Sequence, residues 1–360
     1  MYRGVAVGLL SACSWMAGCG TADKGDNETN CVNEFDVTCH IRKEMYMANG
    51  RMVAVGDSLL LVVSHSAPGI CTLFRTDENL SEAAAYGTIG NGPGEFVQPL
   101  LTYGCGNTFG LNEVGRQELV EMEVCQQQEV VNIRERQRLK AVGRPRSTDE
   151  WIPSDYYYVR LDGAHFVSLT GVKDGSFFTL SDSMLVPIEH FGDSPIEEEL
   201  PAVSARNRLN GKLMAENGAM VYATTKLPYL AYYRLCSGKM VKQWSLFYAP
   251  TDYGVRNGDL LFSREKAMGP MLDAEMDADY IYVLFMDQPL GLYDYSSARQ
   301  STSNKMLVFN HDGRQVASLH LDVGIQEMVV LRDRLKLYGI AKEPDISLVG
   351  FDLPSELFER

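Results

Sequence analysis

Residues 278–284 read Ala-Asp-Tyr-Ile-Tyr-Val-Leu, a turn-type pair followed by β-branched and aromatic residues. Such a run, bounded by a turn residue, favours a β-strand. The pattern occurs five more times in the 360 residues, at 56–62, 106–111, 163–169, 218–224 and 332–338. The first positions of successive copies lie 50, 57, 55, 60 and 54 residues apart. The sequence therefore contains an internal repeat of about 55 residues.

A second pair of strands follows several copies. The turn His311-Asp312-Gly313 separates two alternating runs, which indicates a β-hairpin. Residues 113–140 are rich in Glu, Gln and Arg, as helices are, but they hold strand-type runs on both sides of residues 126–128. We therefore expect two strands there and an all-β chain.

Six copies with four short strands each predict a six-bladed β-propeller. Such repeats close into a ring because the radial arrangement protects the edges of their sheets. The last copy, residues 325–353, is one strand short. Residues 35–47 could supply that strand and close the ring. We assign residues 34–360 to the propeller; a pair of β-sandwiches or an open solenoid is the alternative.

The N-terminus has the form of a secretory signal. Arg3 precedes an apolar run over residues 4–18, which is too short for a membrane span. Leu-Ser-Ala-Cys at 10–13 and Met-Ala-Gly-Cys at 16–19 both resemble the lipobox of bacterial lipoproteins, whose cysteine carries diacylglycerol. We favour Cys19, because the apolar region before it has the usual length and a polar stretch follows. The expected organisation is a signal peptide at 1–18 and a lipidated tether at 19–33, with Cys13 and an unlipidated signal as alternatives.

The net charge of the chain and its predicted location restrict the partners that it can have. The chain has 33 Lys and Arg against 47 Asp and Glu, a formal net charge of −14, whereas nucleic-acid binders carry a basic footprint. We therefore expect no nucleic-acid partner, and contact with the membrane only through the N-terminal lipid. The predicted location is the cell envelope, as an outer-membrane lipoprotein facing the periplasm or the cell surface.

The most specific string is Thr-Ile-Gly-Asn-Gly-Pro-Gly-Glu-Phe-Val-Gln-Pro at residues 88–99. It resembles a segment of the TolB-like or NHL-like six-bladed propeller lipoproteins of Bacteroidales, in which G-x-G-P-G-E-F joins one blade to the next. The lipobox, the acidic tether and the repeat length also match that group. The resemblance implies a fold and a location, and little chemistry.

The residues of this string give the same interpretation. Gly92 and Gly94 tolerate positive φ, and Pro93 fixes the turn. Glu95 could hold backbone N–H groups, and Phe96 could enter the core between blades. A phosphate-binding loop is the alternative, but no Gly-Lys-Ser/Thr and no helix follow. We expect a structural turn motif made of Gly90, Gly92, Pro93, Gly94, Glu95 and Phe96.

Motifs for chemistry are scarce. No H-E-x-x-H, H-x-H or G-x-S-x-G occurs, so we expect no catalytic residues, no metal site and no cofactor. Lactonase-like propellers gather Glu, Asn and Asp around calcium in the channel, and this chain offers candidates without diagnostic spacing, namely Asn112, Glu113, Asp279 and Asp333.

Two surface features could bind ligands. A basic run covers residues 134–146, and tyrosine clusters at 156–158, 229–233 and 293–295 could stack against sugars or peptides. Solvated strands and core packing are their alternative interpretations. The sequence thus favours a binding or interaction module for a glycan, a peptide or a partner envelope protein, and a metal-dependent lactonase- or lyase-like propeller enzyme is the alternative.

Overall fold

The computed structural model describes residues 32–45, 50–65, 69–140, 157–173, 176–201, 204–205, 209–263, 265–289 and 302–359. The described residues include two short 3-10 helices, Arg332–Arg334 and Ser355–Phe358. Among the described residues, no helix is long and apolar enough to cross a bilayer.

Most of the described chain is β-strand. In chain order the strands are β1 (Asn33–Val37), β2 (Cys39–Glu44), β3 (Arg51–Val55), β4 (Leu59–Val63), β5 (Cys71–Arg75), β6 (Glu82–Tyr86), β7 (Thr88–Ile89), β8 (Glu95–Phe96), β9 (Pro99–Cys105), β10 (Thr108–Glu113), β11 (Glu118–Gln127), β12 (Val130–Lys140), β13 (Tyr158–Arg160), β14 (His165–Lys173), β15 (Ser176–Asp182), β16 (Pro187–Phe191), β17 (Gly211–Glu216), β18 (Ala219–Thr224), β19 (Tyr229–Cys236), β20 (Lys239–Phe247), β21 (Tyr253–Arg256), β22 (Asp259–Phe262), β23 (Met271–Met276), β24 (Tyr280–Phe285), β25 (Ser303–Asn310), β26 (Gln315–Leu331), β27 (Lys336–Ala341) and β28 (Ser347–Asp352).

Four antiparallel sheets are each built from four consecutive strands. They are β3–β6, β9–β12, β13–β16 and β17–β20, and each meanders from its first to its last strand. The repeats found in the sequence overlap the second strand of four-strand groups, at β4, β10, β14, β18, β24 and β27. Each repeat thus supplies the turn and the strand that hold one group together.

The remaining large sheet has eight strands and contains both ends of the described chain. β26 pairs with β25 through its first half and with β27 through its second half. β2 pairs with β28 at the outer edge, so the expectation that residues 35–47 supply a missing strand is confirmed. β1 adds a further, parallel strand alongside the first half of β26.

The first strands of the groups form a closed ring. β3, β9, β13, β17, β23 and the second half of β26 contact one another in that order, and β26 returns to β3. Blades arranged around a common axis place their inner strands in this way. The fold is therefore the β-propeller that the repeat predicts.

Residues 113–140 contain the expected strands, β11 and β12, joined at Gln128, which adopts a positive φ of 54°. One element was missed. β21 and β22 form a separate hairpin between the fourth sheet and β23. Its turn, Asn257-Gly258, has positive φ at both residues, which is the sequence signature of a two-residue hairpin.

Side chains between neighbouring sheets form the core, and two of these seams differ in composition. The aromatic seam lies between β13–β16 and β17–β20 and is centred on Phe178. The polar seam lies between β9–β12 and β13–β16 and has a small apolar cluster. That cluster comprises Tyr103, Leu119, Leu139, Tyr158, Phe166 and Leu185.

Candidate functional site

The glycine-rich turn connects the first sheet to the second. β7 and β8 pair in parallel, and Gly90 donates its N–H to the Phe96 carbonyl at 2.9 Å. Gly94 has a φ of 74°, as a glycine allows, whereas Gly92 is not in that region. A Cβ at Gly92 would instead lie 3.0 Å from the Glu95 carboxylate. Pro93 stands between these two glycines.

The polar groups of this turn are bound by the chain itself. Glu95 Oε2 accepts the Gly92 N–H at 2.6 Å. The fully buried Glu113 accepts the N–H groups of Val97 and Gln98 at 2.9 and 2.7 Å, so this carboxylate holds a loop. Phe96 is fully buried in the core between the first two sheets. The loop therefore presents packed and internally bonded groups.

Other sequence candidates lie apart. Cys19 and Cys13 are outside the described residues. His65 bonds the Pro99 carbonyl at 2.7 Å, while His165 bonds Asp162 at 3.0 Å, so these histidines do not share a site. Asp279 pairs with Arg332. Tyr158, Tyr229, Tyr232 and Tyr233 are buried in the core and present no stacking face.

The part of the basic run at residues 134–140 lies on β12, the outer strand of its sheet, and residues 141–146 are outside the described residues. Arg134 pairs with Glu123 at 2.6 Å. Arg138 and Lys140 share Glu118, at 2.9 and 3.3 Å. These cations are therefore compensated within their own sheet.

A cluster of ionisable side chains fills the centre of the ring, near the starts of the inner strands. We call it the channel cluster. Its members come from five inner strands or the residue before one, and they are Arg51, Tyr157, Lys212, Asp273, Glu275 and Glu327.

Lys212 is the hub of the channel cluster. Its Nζ lies 2.7 Å from Glu327 Oε1 and 3.3 Å from Asp273 Oδ1. Asp273 Oδ2 also accepts the Met328 N–H at 2.8 Å. Within the same cluster, Arg51 Nη1 donates to the Tyr157 hydroxyl at 3.0 Å. These bonds tie inner strands to one another across the axis.

Burial shifts the protonation of the channel carboxyls. It raises the pKa of Asp273 to about 6, and the nearby Glu327 adds to the rise while Lys212 opposes it. Burial raises the pKa of Glu275 well above its usual range, with a further contribution from Asp273. Burial and Arg51 lower the pKa of Lys212, but Asp273 and Glu327 outweigh them and raise it overall, so the ammonium stays charged.

Little space remains among these side chains. The empty volume of the cavity is about 310 Å³, but only about 20 Å³ of it is open to water molecules. That is room for one or two waters. Within the described residues, no group of three or more His, Cys, Asp or Glu is placed to hold a metal ion. At the centre of the cluster, the Lys212 ammonium lies where a cation would bind Asp273 and Glu327.

A second site lies on the outside and was missed by the sequence analysis. The end of β20 and the segment leading to β21 line a shallow, open depression of about 520 Å³, which we call the aromatic groove. Its residues are Phe247, Tyr248, Ala249, Pro250, Thr251 and Tyr253. The sequence signal that could have predicted this groove is three aromatic residues within seven positions, next to a proline.

No protein-family model and no curated protein matches the chain. Among solved structures, a candidate exported protein of Bacteroides fragilis is 12% identical, with a TM-score of 0.50, over 89% of this chain and 99% of its own. BamB of Moraxella catarrhalis is 11% identical with a TM-score of 0.38, over 84% and 85%. The β-propeller domain of Cps50 (Swd1) from Myceliophteria thermophila is 10% identical with a TM-score of 0.44, over 88% and 100%. At these identities, what the chain shares with solved proteins is the propeller fold.

Proposed function

We propose that this protein is a lipid-anchored β-propeller of the cell envelope that acts as an interaction module for a protein, peptide or glycan. The observation that carries the proposal is the filled channel. Lys212, Asp273 and Glu327 pair with one another and leave room for one or two waters. Recognition then falls to the outer surface and the loops.

The propeller has six blades in this proposal and belongs with the TolB-like or NHL-like lipoproteins. The closed contact ring of six inner strands supports the count. The turn at residues 90–96, placed between the first two sheets, supports the resemblance.

Export and anchoring rest on the N-terminal sequence, and the candidate exported protein of similar fold agrees with them. Cys19→Ala should move the protein from the membrane to the soluble fraction and abolish labelling by palmitate, because the acylated residue is gone. Cys13→Ala is the matched control and should leave both unchanged. Continued labelling of the Cys19→Ala variant would assign the lipid to Cys13.

Binding is tested by thermal unfolding of residues 20–360 with glycans, peptides and divalent metals. A ligand at 100 times its Kd should stabilise the fold by about 2.7 kcal/mol. A shift with a glycan or peptide supports the interaction module. No shift with any of them directs the search to a folded protein partner, by crosslinking in native membranes.

The metal-dependent enzyme is the second candidate, because three carboxylic residues, Asp273, Glu275 and Glu327, line the channel cavity. The residues present do not fit a divalent ion, since the Lys212 ammonium takes the position between Asp273 and Glu327. A calcium-dependent stabilisation that EDTA reverses and that Asp273→Asn removes would favour the enzyme over the interaction module.

A further inference from the structure

Exposed apolar side chains are concentrated in one stretch of the described sequence. Seven of the ten large exposed hydrophobic residues in the described chain lie between positions 184 and 261. They are Met184, Val186, Ile188, Val241, Phe247, Val255 and Leu261. Exposed apolar residues that meet in one patch mark an interaction surface more often than scattered ones do. The aromatic groove lies within this part of the chain.

The walls of the aromatic groove are held in place from below. The Phe247 ring, 41% exposed, packs on the buried Tyr229 at 5.1 Å between centroids. Tyr248 packs edge-on against Phe285 at 4.9 Å, and its N–H donates to the Pro228 carbonyl at 2.8 Å. A groove ordered in the free protein loses little conformational freedom when it binds a ligand.

One wall of the groove adjoins a negative strip. Residues 197–199 are three consecutive exposed glutamates, and Glu198 accepts a hydrogen bond from the Tyr253 hydroxyl at 3.1 Å. Burial raises the pKa of Tyr253, and so do this bond and the charges of Glu198 and Glu197. We call Glu197, Glu198 and Glu199 the acidic rim, and the charges of Glu197 and Glu198 act directly on the wall of the groove.

We propose that the aromatic groove and the acidic rim together bind a basic segment of a partner protein. An aliphatic or aromatic side chain of that segment enters the groove beside Phe247, and neighbouring Lys or Arg residues face the rim. Aromatic anchors surrounded by complementary charge are the usual centres of such interfaces. The inference deepens the proposed interaction module and rests on it.

A second copy of this chain is a poorer occupant. Three of the four basic residues on its described strand β12, Arg134, Arg138 and Lys140, already pair with Glu123 and Glu118. Docking β12 on the acidic rim would break ion pairs within its own sheet in order to form new ion pairs with the rim. A basic segment of another protein, with no ion pairs of its own, would bind without breaking any.

The test measures binding of a fluorescent peptide of lysine and phenylalanine to the full-length protein in detergent, by anisotropy at low salt. Glu197→Gln with Glu198→Gln and Glu199→Gln should weaken binding about tenfold, because the charge contacts between the rim and the lysines of the peptide are lost. Phe247→Ser should weaken it at least as much. The control pair Glu343→Gln and Asp345→Asn, exposed acids elsewhere, should leave the affinity unchanged, and a peptide of glutamate and phenylalanine should not bind.

Equal affinity of the wild type and both groove variants would overturn this inference, as would a loss of the same size in the control pair. A wild-type protein that dimerises, and that Phe247→Ser makes monomeric, would make a second copy the occupant and overturn it as well. A photocrosslinker at position 247 or, on another sheet, at the exposed Val130 separates the two proposals in native membranes. Partners captured only from position 130 leave the interaction module standing and refute this site.

Discussion

The aromatic seam and the polar seam join β13–β16 to its two neighbouring sheets, yet one consists of packed rings and the other of hydrogen-bonded charged groups. Phe178 in the aromatic seam is fully buried and meets the rings of Tyr222, Phe191 and Tyr233 at 5.0, 5.3 and 5.7 Å. In the polar seam, the buried Glu121 accepts hydrogen bonds from Tyr103, Gln137 and Arg160. One sheet is thus held by ring packing on one side and by a charged network on the other.

The difference predicts how each seam fails. Aromatic packing gains free energy from buried area and from contact geometry, and it depends little on pH. A buried ion pair gains little over an apolar replacement, but losing one partner leaves an uncompensated charge. The aromatic seam should therefore be sensitive to volume, and the polar seam to charge and to pH.

The largest effect is expected from Phe178→Ala. Removing a fully buried ring from among three others should lower the free energy of unfolding by about 3–5 kcal/mol, through lost burial and the cavity left behind. Urea denaturation followed by fluorescence measures it. Ile188→Ala, at an exposed position of the same sheet, is the control and should change stability by less than about 0.5 kcal/mol. A similar loss in both variants would contradict the central place of Phe178.

A somewhat smaller loss is expected from Arg160→Met. The Arg160 guanidinium lies 4.8 Å from the centre of the Phe166 ring and pairs with Glu121, and the side chain is 15% exposed. The single variant leaves a buried carboxylate and should lose about 3 kcal/mol, the low end for a broken buried pair, because Tyr103 and Gln137 still donate to Glu121. Adding Glu121→Leu should restore most of this loss, because the stranded charge is removed with its partner. Failure of the double variant to recover would show that the pair itself supplies the stability.

The sequence predicted the aromatic seam's strands better than it predicted either site. Repeated runs such as residues 163–169 and 218–224 mark β14 and β18, because a strand leaves a local signature of β-branched and aromatic residues. The channel cluster leaves none, since Lys212, Asp273 and Glu327 are brought together only by the closed ring. Which of the 47 acidic residues meet a buried lysine is decided by topology, and no spacing in the chain records it.

A pH dependence should separate the polar seam from the channel cluster. Burial alone would raise the pKa of Glu121, but hydrogen bonds from Tyr103, Arg160 and Gln137 lower it below the ordinary 4.5. The stability from this carboxylate is therefore complete above pH 4.5 and is lost as the pH falls through the lowered value. The contribution of Asp273 to stability changes with pH in the opposite direction. Its pKa of about 6 exceeds the ordinary 3.8, so the folded state binds its proton more tightly than the unfolded state does.

Unfolding free energies measured from about pH 6 to pH 3 check both signs. Glu121→Gln should flatten the fall in stability on the acid side of pH 4.5. Asp273→Asn should instead remove a component of stability that declines as the pH rises from 3.8 towards 6. Identical pH profiles for the wild type and Glu121→Gln would contradict the network assigned to the polar seam.

The smallest effect on stability is expected where a buried group of the polar seam has no hydrogen-bond partner. Ser168 lies two residues from Phe166 on β14 and therefore faces the polar seam, and its buried Oγ has no hydrogen-bond partner. In the unfolded chain this hydroxyl bonds water, so folding loses a bond without replacing it. Ser168→Ala should leave stability unchanged or raise it by up to about 1 kcal/mol.

Thr102→Val is the matched control for Ser168→Ala, because Thr102 Oγ1 is also buried but donates to the Gly110 carbonyl at 3.2 Å. Removing that bond should lower stability by about 1 kcal/mol. Asn112 lies in the same sheet and is 1% exposed with both amide atoms unpartnered, so the lack of bonds extends beyond one serine. If Ser168→Ala destabilised the protein as much as Thr102→Val, buried water would bridge the Ser168 hydroxyl. The polar seam would then be held by solvent as well as by charge, in contrast to the ring packing of the aromatic seam.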